Sequence, residues 1–413
     1  MNIRKQDFLH SHKAKQTTAQ LLTMNSLLLF YMRLLLIIAT LSFGFSTFAQ
    51  TVNPTSGIVY VKPMATGDGS SWNNATTDLQ AAIDAPGVQK VFVAVGTYNA
   101  PSPNGFKMKN GVEIYGGFGG IAITDLTHNR ILPNQLSSSG GDGGEGSVLN
   151  GQNAGKVINN NYTSDNRLNS SAVLDGFIIM NGKSGDNGGG IYNSYASSVF
   201  NNVVVKNNAA VNNGGGVYNY NSNAEFTNSI IRNNSLSGGA GNGGGVCNWE
   251  SSPKFTNVSI TDNTVGSNTL NAYGGGVSNL GSTSKPIFTN VTIARNAINS
   301  PYSYGAAMYN NGSSPEMYNS IIWANVNNSS VIIGDADIYN NGEATLVLKN
   351  SITQVYSSGE NLKVNQNPQF VNAAAGNYTL QAISPAINGG DNTLYAGLNA
   401  NTQDLAGHVR VHN

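Results

Sequence analysis

The sequence predicts an all-β fold, a parallel β-helix of about ten coils with a helix capping its N-terminal end. A short motif recurs along the middle of the chain: three small residues, most often glycines, then an aliphatic residue, a variable residue and asparagine. Its copies begin at Gly188, Gly214, Gly243, Gly274, Gly305 and Asp335, the last two being degenerate. A recurrence every 26 to 31 residues indicates a solenoid, because each copy can bury its apolar face only against neighbouring copies.

The composition of the repeat indicates strands rather than helices. Each motif is followed by a short segment that starts with an aromatic or long apolar residue, and then by a run rich in Ile and Val. The residues that start these segments are Phe200, Phe226, Phe255, Phe288 and Met317. All runs are short, rich in β-formers and closed by Gly or Asn, so three strands per coil are expected. Asparagine suits the corners because it tolerates the left-handed conformation and its amide can bond to asparagines in adjacent coils.

Residues 1–49 have the pattern of a signal peptide. A basic segment is followed by the apolar run LLLIIATLSFGF, and small residues are placed for cleavage between Ala49 and Gln50. Because the basic segment is long, translation could instead start at Met24 or Met32. The alternative is a membrane anchor, since the apolar segment is long enough to span a bilayer. We expect cleavage and export to the surface, outer membrane or surroundings of a Gram-negative-type bacterium.

Residues 50–125 are expected to form the N-terminal cap and the first coils. Asp78 is a helix start signal, and the short helix that follows would place Leu79, Ala82 and Ile83 on one side. The order of a strand, a Gly- and Asp-rich loop, the helix DLQAAI and the strand VFVAVGTY resembles the N-terminal region of the pectin-lyase-like superfamily. That resemblance implies a right-handed β-helix.

The rest of the chain divides into an irregular loop with weak coils (126–173), regular repeats (174–350) and a C-terminal coil and tail (351–413). The motif GGG[IV] with its later IxxN resembles the repeats of polymorphic outer-membrane proteins, whose signatures are GGA[ILV] and FxxN. The segment NPQFVNAAAGNYTLQAISPAINGGDNT resembles the C-terminal part of secreted β-helix proteins of the choice-of-anchor type. Members of that family usually continue into one more strand, so a truncated C-terminus is expected and the mode of anchoring stays open.

The charges exclude a basic surface typical of nucleic-acid-binding proteins. The chain has 21 Lys and Arg and 21 Asp and Glu, and residues 1–49 hold five of the basic and one of the acidic residues. The remaining 16 basic and 20 acidic residues make the exported chain weakly acidic. Without a basic stripe, no nucleic-acid partner is expected.

Cysteine and histidine give no support for redox or metal chemistry in the repeats. Cys247 is the only cysteine and occupies a position that is Tyr in other copies, so no intramolecular disulfide can form. His128, His408 and His412 are the histidines after the apolar segment, and all lie outside the clear repeats. A histidine-based metal site or a Ser-His-Asp relay in the coils is therefore unsupported.

Carboxylates are the remaining candidates for catalysis. Within the pectin-lyase-like superfamily, lyases would need a Ca2+-binding acidic cluster with a Lys or Arg base, and glycoside hydrolases two or three carboxylates facing one cleft. Acids are sparse in residues 174–350. Asp335 and Asp337 are the closest pair and are weak catalytic candidates, although DAD can simply replace GGG in a terminal coil. Asp262 and Arg295 are expected to be neighbours across one coil. No cofactor is expected, and Ca2+ only if the chain is a lyase.

Aromatic residues in and beside the glycine-motif strands are the candidates for ligand binding. Strand alternation places the aliphatic residue of the motif inward and the variable residue outward. The candidates are Tyr192, Tyr218, Tyr220, Trp249, Tyr309 and Tyr339. Flat rings spaced along an elongated surface suit stacking on sugars, with Asn amides between them to bond hydroxyl groups. The alternative is that these rings only cover a half-buried strand face and support one another.

These observations lead us to expect a secreted or cell-surface β-helix protein that is adhesive or glycan-binding and not catalytic. Its partners would be polysaccharides or glycans on host or neighbouring surfaces, and it would act as a monomer with no membrane span after processing. The first alternative is a polysaccharide lyase or glycoside hydrolase of the pectin-lyase-like superfamily. The second is a structural protein of the cell envelope.

Overall fold

A computed structural model of the protein describes residues 52–121, 130–133, 146–238, 241–266, 271–328, 331–332, 337–395, 397–399, 402–405 and 409–410. The proposed signal peptide lies outside these described residues, so its cleavage stays a prediction. Within the described ranges, no helix is both long enough and apolar enough to cross a membrane.

The chain winds into a parallel β-helix of about nine turns. One stack of strands, which we call the Phe column, consists of Ile58–Val61, Lys90–Ala94, Glu113–Phe118, Val173–Asp175, Val199–Asn201, the first half of Glu225–Arg232, the first half of Lys254–Thr261, Ile287–Thr289, Glu316–Tyr318 and Val347–Lys349. Ten stacked strands enclose nine turns. The number of turns, about nine, is therefore slightly lower than the number of coils expected from the sequence, about ten.

Two further columns stack beside the Phe column, and the second of them begins only at Ile158. The Ile column consists of Gly96–Asn99, Ser147–Asn150, Phe177–Met180, Val204–Lys206, the second halves of Glu225–Arg232 and Lys254–Thr261, Thr292–Ala294, Ile321–Trp323, Ile352–Thr353 and Lys363–Val364. The Asn column consists of Ile158–Asn161, Ile191–Ser194, Val217–Tyr220, Val246–Trp249, Val277–Leu280, Met308–Asn311 and Ile338–Asn341. These are the three strands per coil that the repeat predicts.

Shorter strands occupy the connections between the Ile and Asn columns. One set pairs as Lys183–Ser184, Ala209–Ala210, Ser235–Leu236, Thr264–Val265, Ala297–Ile298 and Val326–Asn327. A second set, which we call the flanking sheet, consists of Gly241–Asn242, Asn271–Tyr273, Tyr302–Tyr304 and Val331–Ile332. The remaining elements are an antiparallel pair, Phe370–Asn372 and Asn377–Leu380, and two 3-10 helices, Ala373–Ala375 and Asn392–Leu394.

The interior is filled by identical side chains stacked from turn to turn. The rings of Phe200, Phe226, Phe255 and Phe288 are fully buried, with centroids 4.8 to 5.2 Å apart and planes inclined by only 5 to 12°. This spacing follows from the separation of about 4.8 Å between hydrogen-bonded strands. The four rings thus form a continuous stack within the main hydrophobic core.

Asparagine side chains form two buried ladders. In the Asn column, each amide nitrogen donates to the side-chain oxygen of the next turn over 2.7 to 3.0 Å, through Asn160, Asn193, Asn219, Asn248, Asn279, Asn310 and Asn340. A second ladder follows the Ile column through Asn208, Asn234, Asn263, Asn296 and Asn325. Each amide thereby satisfies its neighbours, which removes the cost of burying a polar group without a partner.

The glycines of the repeat allow two close approaches. Gly214, the first glycine of its motif, has a φ of +61°, which suits a residue without a Cβ. A Cβ on the next residue, Gly215, would collide with the backbone oxygens of Ser235 and of Gly244 in the following turn. The motif therefore marks the point where the connection from the Ile column turns tightly into the Asn column.

The expected N-terminal helix is present as Leu79–Asp84. Asp78 is its N-cap and accepts a hydrogen bond from the Ala81 amide over 2.9 Å. Leu79, Ala82 and Ile83 are buried in the main core, as expected for the apolar side of the helix. The capping element is only six residues long and lies against the first strand of the Phe column.

The C-terminal region returns along the outside of the Ile column, which the sequence did not predict. We call the described residues from 366 onward the C-terminal strap. Tyr378 of the strap donates to Asp262 over 2.7 Å, and Asn319 exchanges two hydrogen bonds with the Asp391 backbone at 2.8 and 2.9 Å. Leu405 packs on an outward apolar cluster that includes Ile230. The strap therefore contacts turns far from the one it follows in sequence.

Replacing Phe255 by Ala should lower the free energy of unfolding by about 3 to 5 kcal/mol, because it removes a ring from the middle of the stack and leaves a cavity. Replacing Trp249 by Ala should cost less than about 1 kcal/mol, because the indole is 40% exposed. Urea titration of the two variants measures both values, and equal losses would contradict the assignment of Phe255 to the core.

Replacing Asn248 by Asp should lower the free energy of unfolding by about 2 to 4 kcal/mol at pH 7, because the change removes the donor to Asn279 and buries a carboxylate. Burial raises the folded-state pKa of such a carboxyl group above its unfolded value, so stability is lost as pH rises and recovered as pH falls. Urea titration at pH 4 should therefore show a smaller loss relative to the wild type at the same pH. Asn341→Asp, in an exposed amide pair, is the control and should change little at either pH.

Candidate functional site

The outward face of the Asn column carries a row of aromatic side chains. Strand alternation directs Val217 and Asn219 into the interior, while the side chain of Tyr218 lies outside the main core. Six side chains occupy this outward position in successive turns: Tyr192, Tyr218, Cys247, Ser278, Tyr309 and Tyr339. All of them except Ser278 belong to a second apolar cluster, separate from the phenylalanine stack.

The flanking sheet covers part of this row. Tyr273 and Tyr304 come from the flanking strands just before a glycine motif, and their rings pack against Tyr309 and Tyr339 with centroids 4.7 and 5.0 Å apart. Tyr309 is consequently only 5% exposed, and Tyr218, which stacks on Tyr192 of the preceding turn, is buried to the same extent. The sequence led us to expect an exposed row of aromatic rings. In the structure, strands of the connections cover part of this row. The alternative interpretation, in which these rings support one another, describes Tyr218 and Tyr309.

The row is interrupted by small residues, and a recess forms there. Cys247 and Ser278 replace two tyrosines, and Gly281 follows the next strand, so fewer side-chain atoms fill this part of the surface. The resulting recess of about 530 Å³ is lined by Asn242, Trp249, Tyr273, Leu280, Gly281, Tyr309 and Asn311. Its volume falls within the range of small-molecule sites, roughly 300 to 1,000 Å³.

Trp249 is the exposed aromatic residue of the recess. Its indole is 40% exposed, and the strand neighbour in the next turn, Leu280, is buried. Tyr220, the neighbour in the preceding turn, is half-buried. Of the predicted ligand-binding candidates, the structure thus brings Trp249 and Tyr309 into one recess, while Tyr192 and Tyr218 lie in earlier turns of the row.

Amide groups at the edge of the recess retain hydrogen-bonding capacity. Asn311 accepts from Asn341 over 3.1 Å through its oxygen, and Asn242 donates to Asn213 over 2.8 Å through its nitrogen. Among the described residues, the Asn311 nitrogen and the Asn242 oxygen have no protein partner, so a donor and an acceptor remain. Burial raises the pKa of Tyr309 to about 12, so its phenol keeps its proton near neutral pH.

Five of the seven residues that line the recess were missed by the sequence-based reasoning: Asn242, Tyr273, Leu280, Gly281 and Asn311. Tyr273 precedes the first glycine of its motif, and Tyr304 holds the same position one turn later, so AYGGG and SYGAA were a usable signal. Leu280 belongs to the outward position next to the motif asparagine and could have been read from strand alternation. The flanking strands themselves lie in connections of variable length, where no regular pattern is visible.

A larger cavity of about 760 Å³ lies between the C-terminal strap and the Ile column. Its charged groups already contact protein atoms. Arg410 donates to the Asn257 side chain, and Lys363 donates to the Pro385 carbonyl oxygen over 2.5 Å. At the end of the strap hairpin, Asp262 accepts from Tyr378 and forms an ion pair of 2.9 Å with Arg295. These contacts hold the strap to the coils, and we assign the cavity no ligand.

Of the two weak catalytic candidates, only Asp337 falls within the described residues. Asp335 lies outside the described residues. Asp337 is only 2% exposed, and its backbone oxygen accepts from the Ala307 and Met308 amides, in place of a motif glycine of the preceding turns. The expected pair of Asp262 and Arg295 across one coil is confirmed. Among the described residues, no three His, Cys, Asp or Glu side chains are grouped so that they could hold a metal ion.

No protein-family model matches the chain, and no curated protein matches it. Its fold is similar to that in the crystal structure of pectate lyase Pel9A, with a TM-score of 0.40 and 14% sequence identity over 88% of this chain and 98% of that chain. At this distance the likeness bears on neither activity nor substrate. The parallel β-helix is established by the strand pairing of the chain itself.

Cys247 should resist thiol reagents in the folded protein. Its side chain is fully buried between Tyr218 and Ser278 of the adjacent turns, and burial raises the pKa of the thiol well above its usual range, which suppresses the reactive thiolate. We expect iodoacetamide to label the native chain at least about 100-fold more slowly than the urea-unfolded chain. A Cys247→Ser, Ser282→Cys double variant, with its thiol at an exposed position, is the control and should be labelled rapidly in both states. Equal rates for native and unfolded wild type would contradict the packing of the row.

Proposed function

We propose that the protein binds glycans at the recess beside Trp249 and does not cleave them. The observation that carries this proposal is the exposed indole of Trp249, in a row whose other rings are mostly covered. The buried side chains of Leu280 and Tyr309 give the recess an apolar wall. This arrangement suits a ring-shaped ligand with one apolar face and polar edges.

Stacking and amide contacts together would account for binding. The C–H face of a pyranose ring can pack on the indole, and aromatic contacts of this kind contribute roughly 0.5 to 1.5 kcal/mol beyond area burial. The Asn311 amide nitrogen and the Asn242 side-chain oxygen could then bond hydroxyl groups at the edge of the sugar. A single shallow site of this kind predicts weak binding of one sugar unit, and a polymer would offer many equivalent units to it.

The enzymatic alternative, a polysaccharide lyase or glycoside hydrolase, has less support. General acid-base cleavage needs ionisable groups held at defined separations on one cleft. The recess is lined by amide, aromatic, aliphatic and glycine residues. Outside it, Glu225 pairs with Lys254 at 3.0 Å and Asp175 pairs with Arg130 at 2.8 Å, so these described acids are already engaged in ion pairs. A structural role in the envelope is the third possibility.

Export is part of the same proposal. The predicted signal peptide would place the β-helix outside the cytoplasm, where polysaccharides and cell-surface glycans are available. An extended rod with a lateral binding site would suit adhesion, because the recess lies on the side of the coils rather than at an end. The localisation rests on the sequence pattern of residues 1–49 alone.

Replacing Trp249 by Ala should weaken binding of the chain to its glycan by about 5- to 10-fold, because the stacking surface is lost. Affinity electrophoresis through gels containing mannan, pectin or alginate measures this as a loss of retardation. Tyr302→Ala is the matched control, because Tyr302 is 49% exposed but does not line the recess, and it should bind like the wild type.

The same polymers, incubated with the protein with and without Ca2+, should release neither unsaturated products nor reducing ends. Turnover that survives Trp249→Ala but is lost on replacing one carboxylate would favour the enzyme instead. Lack of retardation on every polymer would contradict glycan binding and leave the structural role.

A further inference from the structure

The charge around the recess limits the class of glycan it could take. All seven residues that line it are uncharged. A site for uronic acids would need a cation or several amide donors placed to receive a carboxylate. The donors of the lining are the amide nitrogen of Asn311, the indole of Trp249 and the phenols of Tyr273 and Tyr309, and none of them carries charge. The recess therefore lacks the groups that usually hold an anionic sugar.

Next to the recess lies a negatively charged group, the carboxylate of Glu250. Glu250 directly follows Trp249 and accepts hydrogen bonds from the backbone nitrogen of Thr283, at 3.3 Å, and from the Thr283 hydroxyl. These bonds hold the carboxylate against Gly281, where it occupies the space that a Cβ would need. Since Gly281 lines the recess, the negative charge of Glu250 lies next to one of the lining residues.

We infer that the recess selects uncharged glycans and disfavours glycans built from uronic acids. This inference rests on the proposed glycan binding and adds the substrate class. A ligand carboxylate placed a few ångströms from Glu250 would be repelled, and in a solvent-exposed site of high dielectric constant that repulsion corresponds to roughly a 3- to 10-fold loss of affinity. Hydroxyl groups of a neutral sugar meet no such penalty, because the Asn242 and Asn311 amides can bond them.

The test compares two hexasaccharides of equal length, mannohexaose and hexagalacturonate, by isothermal titration calorimetry against the full exported chain. We expect mannohexaose to bind at least about 5-fold more tightly at low salt, with the difference shrinking as salt is raised. Glu250→Gln should tighten hexagalacturonate binding by about 3- to 10-fold and leave mannohexaose unchanged. Thermal unfolding of the variant checks that the fold is intact.

Glu225→Gln is the charge-matched control, because Glu225 lies in the Phe column away from the recess and its removal should change neither affinity. Equal binding of both hexasaccharides that is lost in Trp249→Ala would overturn the selectivity while keeping the proposed function. The selectivity is also overturned if Glu250→Gln leaves hexagalacturonate binding as weak as before. Absence of binding by either ligand would overturn the proposed function and this inference together.

Discussion

The need to satisfy buried amides controls the register of the β-helix. A buried Asn248 has one stable arrangement, in which its nitrogen donates to Asn279 and its oxygen accepts from Asn219. If one turn slipped by a single residue, the amide would face outward and both neighbours would lose a partner, at a cost of about 1 to 3 kcal/mol for each unsatisfied group. The phenylalanine stack is part of a large apolar core, but an apolar interior alone would tolerate several registers. The ladders therefore supply specificity, and the stack supplies stability.

The same constraint explains why so much of the fold could be predicted. The positions of Phe255, Asn248 and Gly244 recur together in the regular turns. Each position meets a different local need of the turn: an apolar core, a buried hydrogen bond and a tight backbone bend. Strand number, inward residues and the capping helix at Asp78 all follow from such local requirements. The strap could not be found in this way, because Tyr378 meets Asp262 across a sequence separation of 116 residues and neither belongs to a repeating pattern.

The recess shows a similar division between what local pattern determines and what it does not. Alternation places Trp249 outside the main core, and that much follows from period-two geometry. Whether a ring is open or covered depends on what folds over it, and the flanking strand that carries Tyr273 comes from a connection without a regular length. The irregular connections therefore limited how far the site could be predicted from sequence. The same connections form the recess, because they leave Trp249 uncovered beside the small residues Ser278 and Gly281.

The C-terminal strap changes how the β-helix can unfold. In a solenoid whose turns touch only their neighbours, the end turn can detach while the others stay folded, and unfolding proceeds as fraying. Here the hydrogen bonds from Tyr378 to Asp262 and from Asp391 to Asn319 join the tail to separate earlier turns. The terminal turns cannot peel away singly without breaking those bonds, so this half of the rod should melt as one cooperative block. Such closure of distant segments also makes folding slower than for a purely local array, because the long loop must be closed before its contacts can form.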